Sequence, residues 1–231
     1  NYGIYAQRFD SNGIFQGSEF QINDTTAQEQ QMSAVAMDNN GNFNVTWSSD
    51  SSGNFDIMAK RYASTGSATS GEFLVNTGIS DNEQFPAIAV ADNDNFVITW
   101  FSDKQDGIGY GGIYAQMFNN DGSFYGSEFR ANTYTFDYQQ NPTLAMDNDG
   151  NFIIGWQSAG QDGSGDGIFA QRYASTGSAT GGEFKVNGYT TNAQITPAVA
   201  MDGNGAFIFA WNSSFQDGSY SGIYAKRYNS N

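Results

Sequence analysis

Four short acidic segments hold the residue types that could bind a metal ion. Three of them read Gln-Asp-Gly around Asp106, Asp162 and Asp217, and a fourth, around Asp50, departs from that pattern. Ca²⁺ takes six to eight oxygen ligands from carboxylates, amides and backbone carbonyls. The segments therefore predict calcium ligands at Asp50, Asp106, Asp162 and Asp217. An Asp-Gly turn that only tightens the chain is the alternative interpretation.

Aromatic residues lie among the same acidic and amide-rich segments. An exposed ring can stack on the face of a sugar while neighbouring Asp, Asn and Gln side chains bond its hydroxyls. The alternative is that the rings cover the rim of the core and direct a tyrosine hydroxyl to water. The candidate ligand-binding residues are Tyr110, Tyr134, Phe136, Tyr138, Tyr189, Phe215 and Tyr220.

The composition excludes several kinds of site. The chain has no Cys and no His, so it lacks thiolate chemistry, the commonest general base and the commonest transition-metal ligand. Nine Lys and Arg stand against 24 Asp and Glu, and the net charge of −15 is opposite to that of a nucleic-acid-binding surface. No apolar run approaches the roughly 20 residues that a membrane helix needs, so we expect no membrane insertion.

Acidic residues could still catalyse a reaction without histidine. A pair of carboxylates is enough for acid–base work, as in glycosidases. However, a Glu-Phe phrase recurs once per repeat, and regular recurrence indicates framework, so we expect no enzyme. We expect these glutamates to pair with basic residues on the neighbouring strand. The recurring glutamates are Glu19, Glu72, Glu128 and Glu183.

A fourfold repeat positions all of these residues. Its markers are the four tryptophans, which follow one another at intervals of 53, 56 and 55 residues. Each repeat also holds an alanine-rich phrase, a GIYAQRY-like phrase and a GEFLVN-like phrase. Only the step from the tryptophan to the GIYAQRY-like phrase varies in length, so one loop per repeat carries the variation. The tryptophans are Trp47, Trp100, Trp156 and Trp211.

The phrases alternate large residues with a period of two, as strands do. Phe43, Val45 and Trp47 illustrate the pattern, and in later repeats the intervening positions are also apolar or small. Sheets that bury both faces pack face to face around an axis. The sequence therefore predicts an all-β, four-bladed β-propeller of four-stranded antiparallel blades.

The repeats predict a single domain over residues 1–231. Three repeats span about 34–86, 87–142 and 143–197, and the fourth, 198–231, is completed by 1–33, so that N- and C-terminal strands close the ring. Five copies of the GIYAQRY-like phrase for four blades leave one strand surplus, at 2–9 or 222–228. An unpaired edge strand could pair with another chain.

The combined phrases, from GNFxxxW through QDGSG and GIYAQRY to GEFxVN, resemble a repeat of very large secreted or surface proteins of bacteria. These repeats often stand beside calcium-binding repeats of the RTX or cadherin-like kind. The resemblance covers 3–228. It implies an extracellular or cell-surface location and an adhesive role, and it brings no catalytic site.

The leading expectation is a non-enzymatic, lectin-like adhesion module. It would recognise glycans or another cell-surface component through loops that Ca²⁺ stabilises. The rival expectation is a structural protein that assembles into a filament, sheath or matrix through the surplus strand.

Overall fold

The fold is all-β, as predicted. The structure, a computed structural model, describes residues 2–50, 53–78, 81–105 and 109–230. These residues form seventeen strands. Within these ranges, no segment forms a helix that could cross a membrane.

A short hairpin precedes the first blade, and three four-stranded antiparallel sheets and one three-stranded sheet follow. The hairpin consists of β1 (Tyr5–Ala6) and β2 (Phe20–Gln21). Blade 1 consists of β3 (Gln30–Met37), β4 (Phe43–Asp50), β5 (Phe55–Tyr62) and β6 (Phe73–Leu74). Blade 2 consists of β7 (Glu83–Val90), β8 (Phe96–Ser102), β9 (Gly112–Phe118) and β10 (Phe124–Arg130).

Blade 3 consists of β11 (Gln139–Met146), β12 (Phe152–Ala159), β13 (Asp166–Tyr173) and β14 (Ala179–Lys185). Blade 4 consists of β15 (Gln194–Met201), β16 (Phe207–Ser214) and β17 (Ser221–Tyr228). The first strands of neighbouring blades contact one another, β3 with β7, β7 with β11 and β11 with β15, which makes them the innermost strands. The four-bladed β-propeller is therefore confirmed.

The core consists of apolar layers between neighbouring blades. In each layer the strands of one blade present small or branched residues to a Phe and a Trp of the next. Between blades 3 and 4, Ile168, Ala170 and Val186 pack against Phe209 and Trp211. All four tryptophans are buried, as expected for side chains that fill the space between face-to-face sheets.

The hairpin turns between the first and second strands of each blade use Asp and Gly. The Asp38 carboxylate accepts hydrogen bonds of 2.8 Å from the backbone N–H groups of Asn40 and Asn42. Gly41 closes the turn at φ 81°, a backbone conformation that glycine adopts at little cost. Blade 2 differs, because Asp94 occupies the glycine position at φ 65°.

Among the described residues, the N-terminal strands do not complete blade 4 as predicted: β2 pairs with β1 in a sheet of its own, and blade 4 has three strands. Both terminal copies of the GIYAQRY-like phrase nevertheless belong to the fold. β1 pairs with β2, and this hairpin packs Ile4 and Ile22 against Trp47 of blade 1. β17 pairs with β16 along its whole length. The outer face of blade 4 remains uncovered, so that Ile223 is 73 % exposed.

Candidate functional site

Each innermost strand carries a β-bulge near its start. The register shifts at the same step in β3, β7, β11 and β15. Bulges re-aim side chains and are common beside functional sites. A non-glycine residue with positive φ lies at every bulge: Met32 (56°), Phe85 (56°), Asn141 (53°) and Thr196 (51°).

These four residues line one depression of about 410 Å³ that is wide open to solvent and is called the central cavity below. Each blade contributes its bulge residue and the residue that follows it. Because an innermost strand begins on the rim that carries the variable loops, this central cavity lies towards that rim. The lining residues are Met32, Ser33, Phe85, Pro86, Asn141, Pro142, Thr196 and Pro197.

The backbone conformation of the bulge is the same in all four blades, whereas the residue with positive φ differs from blade to blade. Met32 and Phe85 give the central cavity an apolar side, and the Phe85 ring lies edge-on to Phe101, with 6.5 Å between ring centroids. Asn141 and Thr196 give it a polar side. The four blades thus share a backbone conformation that non-glycine residues rarely adopt, and each presents a different side chain from it.

A hydrogen-bond network holds the polar side in place. Gln157 Oε1 accepts a 3.0 Å bond from Asn141 Nδ2 and a 3.3 Å bond from the backbone N–H of Thr196, so it joins blades 3 and 4. Asn212 Nδ2 donates a 2.6 Å bond to Thr196 Oγ1. Among the described residues, Asn141 Oδ1 takes part in no hydrogen bond, and Asn141 lines the central cavity, so this oxygen remains available to a ligand.

One buried carboxyl group, Glu83, lies two residues before the bulge of blade 2. The other blades have glutamine at this position, as Gln30, Gln139 and Gln194. Glu83 is 1 % exposed, and Ser102 Oγ donates a 3.0 Å hydrogen bond to its Oε1. Within the described ranges its Oε2 has no partner.

Burial raises the pKa of Glu83 to about 8, against the opposing hydrogen bond from Ser102 and the opposing effect of the Trp100 indole, and the charge of Glu128 raises it further. Burial disfavours the charged form of a carboxyl group. Glu83 is therefore protonated at neutral pH, the state in which a carboxyl group can donate a proton.

Two further carboxylates act on Glu83 electrostatically, Asp56 and Glu128. Asp56 is buried, and Asn76 Nδ2 donates a 3.0 Å hydrogen bond to its Oδ1. Glu128 accepts a 2.7 Å hydrogen bond from the backbone N–H of Thr77 and another from Gln105. Asp56 and Glu128 are thus the carboxyl groups whose charge acts on Glu83.

The recurring glutamates do not pair with basic residues on the neighbouring strand, so that prediction is wrong. Three of the four accept hydrogen bonds from a threonine in the loop before their own blade, as Glu183 does from the backbone N–H (2.6 Å) and hydroxyl (2.8 Å) of Thr133. Glu72 binds Thr25 and Glu128 binds Thr77 in the same way. These contacts, called the glutamate latches below, join neighbouring blades.

The predicted calcium ligands that the structure describes lie in separate loops. Asp50 accepts a hydrogen bond from the backbone N–H of Gly53 (2.9 Å), Asp162 from that of Ser164 (3.2 Å) and Asp217 from that of Ser219 (3.0 Å). Asp106 lies outside the described residues. No group of three or more acidic side chains converges within the described ranges, and calcium binding stays a prediction.

The predicted aromatic residues form three pairs on the rim. Ring centroids are 6.0 Å apart for Tyr110 and Tyr138, 5.9 Å for Tyr134 and Phe136, and 6.3 Å for Phe215 and Tyr220. Tyr189 is half-buried in the loop before β15. None of the seven lines the central cavity. Their role in ligand binding stays a prediction.

The sequence matches no protein-family model and no curated protein. Solved structures share its fold. A thermostable family-43 glycoside hydrolase is 14 % identical with a TM-score of 0.54, and the alignment covers 86 % of this chain and 71 % of that one. The GH93 α-L-arabinofuranosidase of Fusarium graminearum with arabinobiose is 12 % identical with a TM-score of 0.59, covering 87 % and 63 %.

A Hadza microbial sialidase is 11 % identical with a TM-score of 0.60, covering 85 % of this chain and 44 % of its own. The chain therefore spans less than two thirds of the arabinofuranosidase and of the sialidase. At these identities the likeness establishes the fold.

These comparisons overturn the prediction of a non-enzymatic adhesion module and that of a self-assembling structural protein, because the proteins that share the fold are glycoside hydrolases and a sialidase. The prediction that the chain is not an enzyme is corrected for the same reason. It rested on the recurring glutamates and overlooked Glu83. Glu83 is the one glutamate at a position where the other three repeats have glutamine.

Proposed function

We propose that this chain is a glycan-processing enzyme that hydrolyses glycosidic bonds, with the sugar held in the central cavity. The observation that carries the proposal is that the four bulges share one backbone conformation, whereas the residue with positive φ differs in each of them. The buried, protonated Glu83 beside one bulge supports it. The shared fold of the solved glycoside hydrolases is also consistent with it.

Glycoside hydrolysis needs an acid and a second carboxylate. Glu83 would donate its proton to the glycosidic oxygen as the bond to the anomeric carbon breaks. The second carboxylate would either take a proton from the attacking water or form a covalent intermediate that water then releases. Asp56 suits this role better than Glu128, because Glu128 repeats the threonine contacts of the glutamate latches.

Glu83 is covered in this structure, so the proposal requires that substrate binding expose its carboxyl group. An extracellular location, expected from the resemblance, stays a prediction that suits an enzyme acting on polymeric glycans.

Activity assays with the Glu83→Gln variant test the proposal. Because three blades already have glutamine there, the variant should fold normally. The probes are aryl glycosides of arabinose, xylose and galactose, together with arabinobiose and sialyllactose. We expect hydrolysis by the unaltered protein, and a kcat roughly 10²–10⁴-fold lower for Glu83→Gln, which is the range for loss of a general acid.

The pH profile gives a second readout. Activity should fall as the pH rises through about 8, because Glu83 then loses the proton that it donates. Asp56→Asn should also lower kcat, whereas Glu183→Gln, a latch control, should not. Full activity in Glu83→Gln, or no hydrolysis of any probe, would contradict the proposal.

A further inference from the structure

We infer that the central cavity takes an uncharged sugar ring, stacked on Phe85 and hydrogen-bonded on the opposite side by Asn141 and Thr196, and that it rejects acidic sugars. This inference deepens the proposed function and rests on it. It concerns the class of glycan, which neither the fold nor the comparisons specify.

The charge distribution provides the first argument. None of the nine Lys and Arg residues of the chain lines the central cavity. Several are engaged between blades: Lys60 Nζ lies 2.7 Å from Asp24 Oδ1, and Lys226 Nζ donates a 3.1 Å bond to the carbonyl of Val186. Desolvating a carboxylate without a counter-charge is costly, and the net charge of −15 adds repulsion.

The two-sided lining provides the second argument. A sugar ring has an apolar face of C–H groups and an edge of hydroxyls. Phe85, which is 38 % exposed, offers an aromatic face, and Met32 beside it extends the apolar side. Asn141 Oδ1 offers an acceptor to a sugar hydroxyl. A few convergent polar groups in a largely apolar pocket are typical of specific small-ligand sites.

The size of the central cavity is consistent with this ligand. Its volume of about 410 Å³ lies in the range of small-ligand sites, from roughly 300 to 1,000 Å³. Three of the eight lining residues are prolines, which fix the backbone beside the bulges. A rigid lining loses little conformational freedom on binding.

Calorimetric titration of the Glu83→Gln variant tests the inference, because binding is then measured without turnover. The key probes are galactobiose and digalacturonate, which differ at carbon 6, a hydroxymethyl group in one and a carboxylate in the other. Arabinobiose, xylobiose and cellobiose widen the neutral set. We expect at least one neutral disaccharide to bind, and digalacturonate to bind at least tenfold more weakly than galactobiose.

Substitutions locate the site. Phe85→Ala and Asn141→Ala should each weaken neutral-sugar binding about tenfold or more, whereas Tyr220→Ala, on the rim, should leave it unchanged. Thermal melting confirms that each variant is folded. Ser33→Lys should raise the affinity for digalacturonate, because Ser33 is exposed in the central cavity and a lysine there supplies the missing cation.

The outcomes separate this inference from the proposed function. Digalacturonate binding as tight as galactobiose binding, binding that depends on Tyr220 but not on Phe85, or no neutral disaccharide bound at 10 mM would each overturn the inference. Neutral-sugar binding without any hydrolysis by the unaltered protein would sustain the inference and overturn the proposed enzyme. Hydrolysis confined to acidic glycans would sustain the proposed enzyme and overturn the inference.

Discussion

At the scale of single residues, the positions that break the repeat are the informative ones. Asp94 is an example, because the other blades have Gly41, Gly150 and Gly205 at this turn position. Asp94 adopts φ 65° and shares a cavity of about 190 Å³ with Asp38 and Arg61. Burial and the facing Asp38 raise the pKa of Asp94, while hydrogen bonds from Asn42 outweigh burial and lower the pKa of Asp38.

The Asp94→Gly variant should be more stable than the unaltered protein at pH 7, by roughly 0.5–1 kcal/mol, because it relieves both the positive φ and the carboxylate repulsion. Since the folded-state pKa of Asp94 is raised, its stabilising contribution is complete below its ordinary value of 3.8 and is lost as the pH rises through the folded value. The gain should therefore shrink in acid. Urea unfolding at pH 7 and pH 3.5 measures it.

Asp94→Asn separates the two causes, since it removes the charge and keeps a side chain that tolerates positive φ. It should show only the pH-dependent part of the gain. Equal stability of all three proteins at pH 7 would contradict this account of the turn.

At the scale of strands and loops, the glutamate latches make a test possible within one chain. Glu183→Ala should destabilise the protein by about 1 kcal/mol, because it leaves the N–H and hydroxyl of Thr133 without their charged acceptor. Glu19→Ala is the matched control: Glu19 has the same repeat position and makes no such hydrogen bond within the described ranges. Equal losses in the two variants, measured by urea unfolding, would argue against the latches.

Strands and hairpin turns could be predicted from the sequence because their signals are local. Alternation of Phe43, Val45 and Trp47 indicates a strand, and Asp38 with Gly41 indicates the turn that follows β3. The bulges could not be predicted, since Met32, Phe85, Asn141 and Thr196 share no chemical property. The latches were missed because they join residues about 50 positions apart, whereas the prediction considered only adjacent strands.

At the scale of the whole molecule, burial differs between equivalent faces of the blades. Ile168 of blade 3 is 0 % exposed because blade 4 covers it, whereas Ile223, at the same position of blade 4, is 73 % exposed. The repeat thus gives two isoleucines of the same local sequence in opposite environments.

Ile168→Ala should cost about 2–5 kcal/mol of unfolding free energy, as loss of a buried branched side chain does. Ile223→Ala should cost less than about 0.5 kcal/mol in the monomer at low protein concentration, as for most surface changes. Chemical denaturation of both variants provides the comparison. A large loss in Ile223→Ala would show that the outer face of blade 4 is covered in solution.

The constant backbone of the four bulges has a consequence for evolution. Each blade contributes one bulge residue, and the four blades keep the same strand pairing around the bulge although that residue differs. New combinations of bulge residues could therefore arise when repeat units are shuffled or duplicated, without substitutions in the core. Chimeras with exchanged repeats would show whether the selectivity for ligands follows the bulge residues.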